Sequence, residues 1–296
     1  MRRRTDMAYI NLNRNAKKHK FIVNALLSAL MTLLAVILLF PYAYMVSKSL
    51  MTGEEVVDPT IRLLPEVPQF KNYLRIFQNE DYLNGFIHTR ILGGRNCIIV
   101  PLSASVIAFS FAKLKWVGRG FMFAIMLGTM MLPGVVTQLS LYAIYVDLNW
   151  INTLYPFIIP NLFGGGALYI FLIRQFMLGI PRDMDNAAKI DGANAFVRYW
   201  SIVLPLCKPV LIYVVVNVFI SYWGDYYGPF VYMRASYAPK TLAQVVFENS
   251  MEKDAATYNA NMRMCGGVIM SIVPAILFAI FQKQLIEGVV MTGLKD

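Results

Sequence analysis

An all-α membrane protein with six transmembrane helices is the fold class this sequence predicts, on three observations. Of its 296 residues, 57 % are hydrophobic and only 15 % charged, too apolar for a chain that must cover itself with polar groups in water. Charged residues fence off six uncharged fields, each near the roughly 17 to 25 residues that cross a hydrocarbon core. Lys and Arg collect in alternate connections, as the positive-inside rule requires.

Residues 1–20 form a basic tail, with Arg2, Arg3, Arg4, Arg14, Lys17, Lys18 and Lys20 against a lone Asp6, and residues 21–294 form the membrane domain. The first field is too long for a signal-peptide h-region and ends without a small-residue cleavage site, so it stays in the membrane. Spans are expected at about 21–47, 92–112, 121–146, 152–174, 208–226 and 264–284. The second and fifth are short and need terminal Lys or Arg stems to reach the interface. Between the first two spans, "TGEE", "DPT" and "LLPEVP" signal turns, and "FKNYLRIFQNEDYL" is a short amphipathic piece suited to the membrane surface.

Pro133 with Gly134, then Pro156, Pro160 and Gly164 to Gly166, then Pro274 interrupt the third, fourth and sixth fields. Two readings of the glycine run stand side by side: a backbone break lining a cavity, or small residues that let helices close up. Gln138, Asn161 and Asn217 lie at mid-span depth, where polar groups line a pathway or, more commonly, hydrogen-bond between helices.

Counting positive charge puts both termini, "KLKWVGRG" (Lys113 to Gly120) and the segment between the fourth and fifth spans in the cytoplasm. The segments 49–95, "DLNWIN" and 224–263 then fall outside, with Glu54, Glu55, Asp58, Glu66, Glu80, Asp81, Glu248, Glu252 and Asp254.

Much chemistry is excluded. The net charge of +10 is spread in short runs beside apolar fields, which argues for a lipid membrane and against a nucleic-acid partner. Cys97, Cys207 and Cys265 are far apart and read as packing residues, with neither disulfide nor metal spacing. Two histidines, His19 and His88, leave little for a triad or a zinc site. No GxSxG, HExxH or GxxxxGK[ST] occurs, so the chain has no catalytic residues, no metal site and no phosphate loop of its own. The spans also lack the buried acids and bases of proton-coupled carriers.

One segment does not fit a simple connection. "PRDMDNAAKIDGANAFVRYWSIVLPLCKP" (Pro181 to Pro209) reads as helix, turn, helix, stop. Pro181 suits a helix start, and Asp183 and Asp185 sit where the macrodipole favours acids. Gly192 supplies a turn with positive φ. "AFVRYWSIV" (Ala195 to Val203) follows as a second helix, which Pro205 and Pro209 are expected to end. The product is a compact knob.

This segment resembles the "EAAxxDGAxxxxFxxIxLP" loop of ATP-binding-cassette importer permeases, with Asn186, Ala187, Ala188, Asp191, Gly192, Ala193, Ile202, Leu204 and Pro205 at motif positions. The similarity runs over nearly the whole chain. "LLPEVPQFKNYLRIF", "FSFAKLKWVGRG", "MLPGVV", "LYAIYVDLNWINTLYPFIIP", "FLIRQFMLGIP" and "EGVVMTGLKD" are similar to the carbohydrate-uptake branch, in particular the shorter permease of maltose importers. Three positions depart from that pattern. Asn186 replaces the first Glu, whose acid is displaced to Asp185 or lost; Ser140 replaces a frequent Pro, and Gly224 a common Asn.

The resemblance implies a type I importer transmembrane domain, with a core region of about 92–284 and a coupling loop at 179–209. It implies ATPase-coupling roles for Asp185, Asn186, Ala187, Ala188, Lys189, Asp191, Gly192 and Ala193. It further implies a second homologous permease, two ATPase subunits that hold the ATP, an extracytoplasmic solute-binding protein, a sugar or oligosaccharide cargo, and a bacterial or archaeal plasma membrane. No cofactor is expected on this chain. Substrate-binding residues stay unassigned, because in the maltose system the larger permease supplies the sugar site. The alternatives are a permease for a non-sugar solute, an ATP-independent secondary carrier or channel, and a membrane scaffold without transport.

Overall fold

The computed structural model describes residues 2–60, 62–251 and 260–293, and every regular element among them is helical. Glu252, Asp254 and the last residue expected in the membrane domain, Leu294, lie outside the described residues. Two compact units are distinguished, Met1–Asn72 with Thr257–Val268, and Tyr73–Ala256 with Ile269–Asp296.

The first unit is built on α1 (Arg2–Ser49), which runs unbroken from the basic tail through Pro41. Its Lys20–Ser49 part is long and apolar enough to cross a membrane. A helix end leaves carbonyls without intrahelical donors, and here neighbouring side chains supply them. Asn72 Nδ2 donates to Ser49 O and Met51 O, both at 2.9 Å. Asn261 Nδ2 donates to Met51 O at 3.3 Å and Cys265 Sγ to Ser49 O at 3.2 Å. A Cβ on Gly267 would stand 2.8 Å from Met45 Sδ, so any larger residue there would have to push the methionine side chain aside. The short α2 (Gly53–Val57) opens with a capping box, Thr52 accepting from Glu55 N while Glu55 accepts from Thr52 N.

After α3 (Lys71–Gln78) the expected amphipathic piece is cut, because Asn79 starts a new helix by accepting from Asp81 N and Tyr82 N. That helix, α4 (Glu80–Lys113), carries the second span but begins well before it, with Glu80 and Asp81 in its first turn. The third expected span is two helices, α5 (Arg119–Thr129) and α6 (Gly134–Asp147), separated at Pro133. The fourth comprises α7 (Tyr155–Ile158), a 3-10 turn at Pro160–Phe163, and α8 (Ala167–Gly179).

Gly164, Gly165 and Gly166 all have positive φ, at 102°, 62° and 123°. A Cβ at Gly165 would lie 2.5 Å from Val100 Cγ1, and one at Gly164 2.7 Å from Ile170 Cδ1. Both readings of the run therefore hold: it breaks the helix, and it is pressed against α4 and α8.

Then come α9 (Arg182–Ile190), α10 (Ala195–Arg198), a π turn (Tyr199–Val203), α11 (Leu204–Leu206) and α12 (Lys208–Gly224). Pro205 does not end the second loop helix as expected. It occupies the first turn of α11, where a missing N–H goes unused, and the chain bends by 76° at Cys207 before α12. The 224–263 segment holds two helices the sequence did not announce, α13 (Tyr227–Tyr232) and α14 (Leu242–Met251). Last is α15 (Ala260–Gly293), continuous through Pro274.

In the second unit α4 is the central helix. Val100, Ala104, Ala108 and Phe109 recur on one face and pack with Ile170, Ile173 and Met177 of α8 and with Val210, Val214 and Val218 of α12. Small residues at 104 and 108 admit close approach. Lipid is as apolar as leucine, so what distinguishes this packing from lipid contact is dispersion and the polar ties between helices rather than transfer out of water.

Candidate functional site

The loop between α8 and α12 is fixed by local rules. Pro181 precedes α9, and Asp183 and Asp185 occupy its first turn. At the far end Gly192 N donates to Lys189 O at 3.1 Å and Ala193 N to Ala188 O at 2.9 Å, the paired bonds of a Schellman stop. Gly192 takes φ +79°, and a Cβ there would meet nothing within 4 Å. Asn194 Oδ1 then accepts from Val197 N at 2.9 Å and caps α10.

Across this turn the two helices are tied by charge. Arg198 Nη1 donates to Asp185 Oδ1 at 2.8 Å and Lys189 Nζ lies 2.9 Å from Asp185 Oδ2. Asp185 and Arg198 are 8 % and 7 % exposed. Burial pushes the Asp185 carboxyl up, but the Lys189 hydrogen bond and the Arg198 and Lys189 charges outweigh it and hold the group below the usual aspartate range. Removing Asp185 strands the buried Arg198 guanidinium, at a cost of about 3–5 kcal/mol, whereas removing Arg198 leaves Asp185 its Lys189 partner.

Of the sequence-predicted coupling residues, Asn186, Ala187, Lys189, Asp191, Gly192 and Ala193 lie toward solvent, whereas Asp185 and Ala188 are turned inward. Asp185 therefore does not stand in at the surface for the glutamate that Asn186 replaces. The exposed face is also apolar, with Ile190 86 % and Phe196 70 % exposed, and the Phe196 and Trp200 rings stack at 6.4 Å. Such side chains are costly to leave in water unless something covers them.

Three contacts of this loop join residues too far apart in the chain for any local pattern to pair them. Tyr199 OH and Ser105 Oγ of α4 are 2.9 Å apart, and the Tyr199 ring meets Phe109 edge-on at 5.4 Å. Lys113 Nζ at the end of α4 donates to Ile180 O at 3.3 Å.

Deeper in the unit, the break after α7 leaves Phe157 O to side chains. Asn96 Nδ2, Asn161 Nδ2 and Tyr222 OH donate to it at 3.0, 2.7 and 3.2 Å, and Asn161 also donates to Asn96 Oδ1 at 2.8 Å. Asn161 thus bonds between helices and also lines a cavity of about 160 Å³ with Tyr169, Ser221, Tyr222 and Asp225. Asn217 Nδ2 donates within α12, to Tyr213 O at 2.9 Å. Gln138 hydrogen-bonds Tyr232.

The model of the binding-protein-dependent transport system inner membrane component family matches residues 100–290, well over half of the chain. The chain belongs to this family. Membership makes it a multi-pass membrane component of a transport system and not an enzyme. Among curated relatives of this family member is the arabinooligosaccharides transport system permease protein AraQ of Bacillus subtilis (strain 168), 27 % identical over 89 % of this chain and 92 % of that one. Another is the sn-glycerol-3-phosphate transport system permease protein UgpE of Brucella suis biovar 1 (strain 1330), 28 % identical over 91 % and 97 %. A crystal structure of a bacterial ABC transporter involved in the import of the acidic polysaccharide alginate superposes with a TM-score of 0.71, at 24 % identity, over 88 % of this chain and 96 % of that one. The fold is the type I ABC permease fold.

Proposed function

We propose that this chain is one permease subunit of a heteromeric importer for a sugar or oligosaccharide, and that the 181–209 loop couples it to ATP hydrolysis by partner subunits. The observation that carries the reading is the loop itself. It is a capped knob outside the spans, with an apolar tip at Ile190, Phe196 and Trp200 that needs a protein cleft to cover it. Its coupling face is Asn186, Ala187, Lys189, Asp191, Gly192 and Ala193, with Ala188 packed beneath and Asp185 holding the face in place. The remaining parts follow from the same reading: a second permease, two ATPases, an extracytoplasmic binding protein, six spans with both termini cytoplasmic, and a bacterial or archaeal plasma membrane. Four helices long and apolar enough to span among the described residues, a fifth bent pair and the α5–α6 pair support six. ATP is held by the ATPases.

Closure of the ATPases would shift the knob and rock the attached helices between two states, opening the path outward when the binding protein delivers solute. The cargo class is supported by the oligosaccharide relative named above. The glycerol-3-phosphate relative puts a phosphate ester beside the sugars in any solute panel.

The test is to purify the complex through a tag on this chain, reconstitute it in liposomes and add loaded binding protein. An ATPase and a second permease are expected to co-purify, and solute is expected to raise ATP hydrolysis. Gly192→Asp places an L side chain at φ +79° and a charge on the tip. It is expected to leave insertion intact and abolish solute uptake, and normal uptake in that variant would remove the loop from the mechanism.

A further inference from the structure

We infer that Asp185, Arg198, Tyr199 and Ser105 are positioning residues that fasten the loop to α4, so that a push on α9 reaches α4 as well as the two helices the loop connects. The inference rests on the coupling role proposed for the loop.

Only residues 191–194 join α9 to α10, and their turn has an open glycine at its apex. Backbone alone would let the two helices swing. The Asp185–Arg198 pair closes that hinge at 2.8 Å, and little water reaches it to exchange for the bond. The residue after Arg198 starts the π turn, and its hydroxyl bonds Ser105 at 2.9 Å while its ring packs on Phe109. A π turn widens the helix by one residue and is often retained at working sites. Here it begins at the tyrosine that reaches α4. The start of the loop is held by the same helix, through Lys113 and Ile180 O. Thus α4 grips the loop at both ends, and the ion pair stiffens what lies between. The contacts act in series: α9 to α10 through Asp185–Arg198, then α10 to α4 through Tyr199–Ser105.

The experiment measures solute uptake per ATP hydrolysed in the reconstituted importer. Asp185→Ala and Arg198→Ala are each expected to lower it at least tenfold. The double variant Asp185→Leu/Arg198→Met, which replaces the charges by packing of similar volume, is expected to return it to within about threefold of the parent. If Asp185 instead bonded the ATPase directly, that double variant would stay uncoupled, and the inference would be wrong. Tyr199→Phe removes one hydroxyl and is expected to cost about threefold. Combined with Asp185→Ala it should go no lower than Asp185→Ala alone, because a series link is broken once; multiplying effects would overturn the relay.

Where Asp185→Ala fails to assemble, spin labels on Asp183→Cys and Phe196→Cys read the hinge in the full chain. Their distance distribution is expected to broaden in Asp185→Ala and narrow again in the Leu/Met double, and an unchanged distribution would refute the clamp. Absence of any co-purifying ATPase would sink the proposed function, while the label distances would still decide the clamp.

Discussion

Arg62 and Arg198 each pair with acidic side chains, Arg62 with Asp58 and Glu66 and Arg198 with Asp185 alone, and the two regions use the same chemistry to different ends. In the first unit Arg62 bridges Asp58 at 3.6 Å and Glu66, with the three side chains 36 %, 30 % and 69 % exposed. In the loop Arg198 meets Asp185 with both side chains about nine-tenths buried. Water and salt screen the first cluster, so it contributes little to holding its segment, and the Thr52–Glu55 capping box and turn bonds do most of that work. The second is screened far less. Removing Asp185 leaves the Arg198 charge with little water to turn to. The lesson is that an ion pair's position decides whether it is decoration or a hinge pin.

The largest difference should appear on truncation. Asp185→Ala, which strands the buried Arg198, is expected to raise amide exchange of α9 and α10 by about two to four orders of magnitude, corresponding to about 3–5 kcal/mol, in hydrogen-exchange mass spectrometry of the full chain. Arg62→Ala should change exchange of residues 53–60 less than twofold. Equal effects would erase the comparison.

Acid gives the next contrast. Asp185 is held below its ordinary value, so its contribution is complete above the unfolded aspartate pKa of about 4 and is lost as pH falls through the folded value. The spin-label distance across the loop should therefore stay constant from pH 7 to about pH 5 and broaden only below about pH 4. Broadening at pH 6 would mean that another group holds the hinge.

A smaller effect sharpens the contrast from the exposed side. Thr52→Ala removes the cap of α2 and is expected to cost about 1 kcal/mol of local stability, more than loss of Arg62, as amide exchange of residues 53–57 would show. Smallest of all is salt. Raising it from 0.1 to 0.5 M should loosen the Arg62 cluster slightly and leave the loop labels unmoved.

The sequence made some of this legible and hid the rest for physical reasons. Pro181, Asp183 and Gly192 announced the ends of α9, because caps and turns are set by residues within a few positions of each other. The second uncharged field begins at Arg95, but α4 starts well before it, since a cap at Asn79 and helical hydrogen bonding do not depend on where charges fall. In the third field Pro133 with Gly134 announced the interruption, and two helices meet there.

Side-chain partners were the least visible. Asp185 and Arg198 are 13 residues apart across a turn, and Ser105 and Tyr199 are 94 apart, so no local pattern pairs them. Asn96 follows directly on Arg95 and nothing in the local pattern singles it out, yet it is fully buried and donates to Phe157 O. Asp185 looked like a displaced surface acid for the want of one fact, the direction it points.

The turn at Gly192 has one more consequence. Its φ is +79° and a Cβ would find open space, so the requirement for glycine is a matter of chirality and not of size. A D-alanine introduced there by chemical ligation should be accepted where L-alanine is strained. D-aspartate beside L-aspartate would separate the two injuries of Gly192→Asp, since the mirror-image residue carries the same charge without the backbone strain. The knob thus presents to its surroundings a bend whose hand, rather than whose bulk, is specified by a single missing carbon.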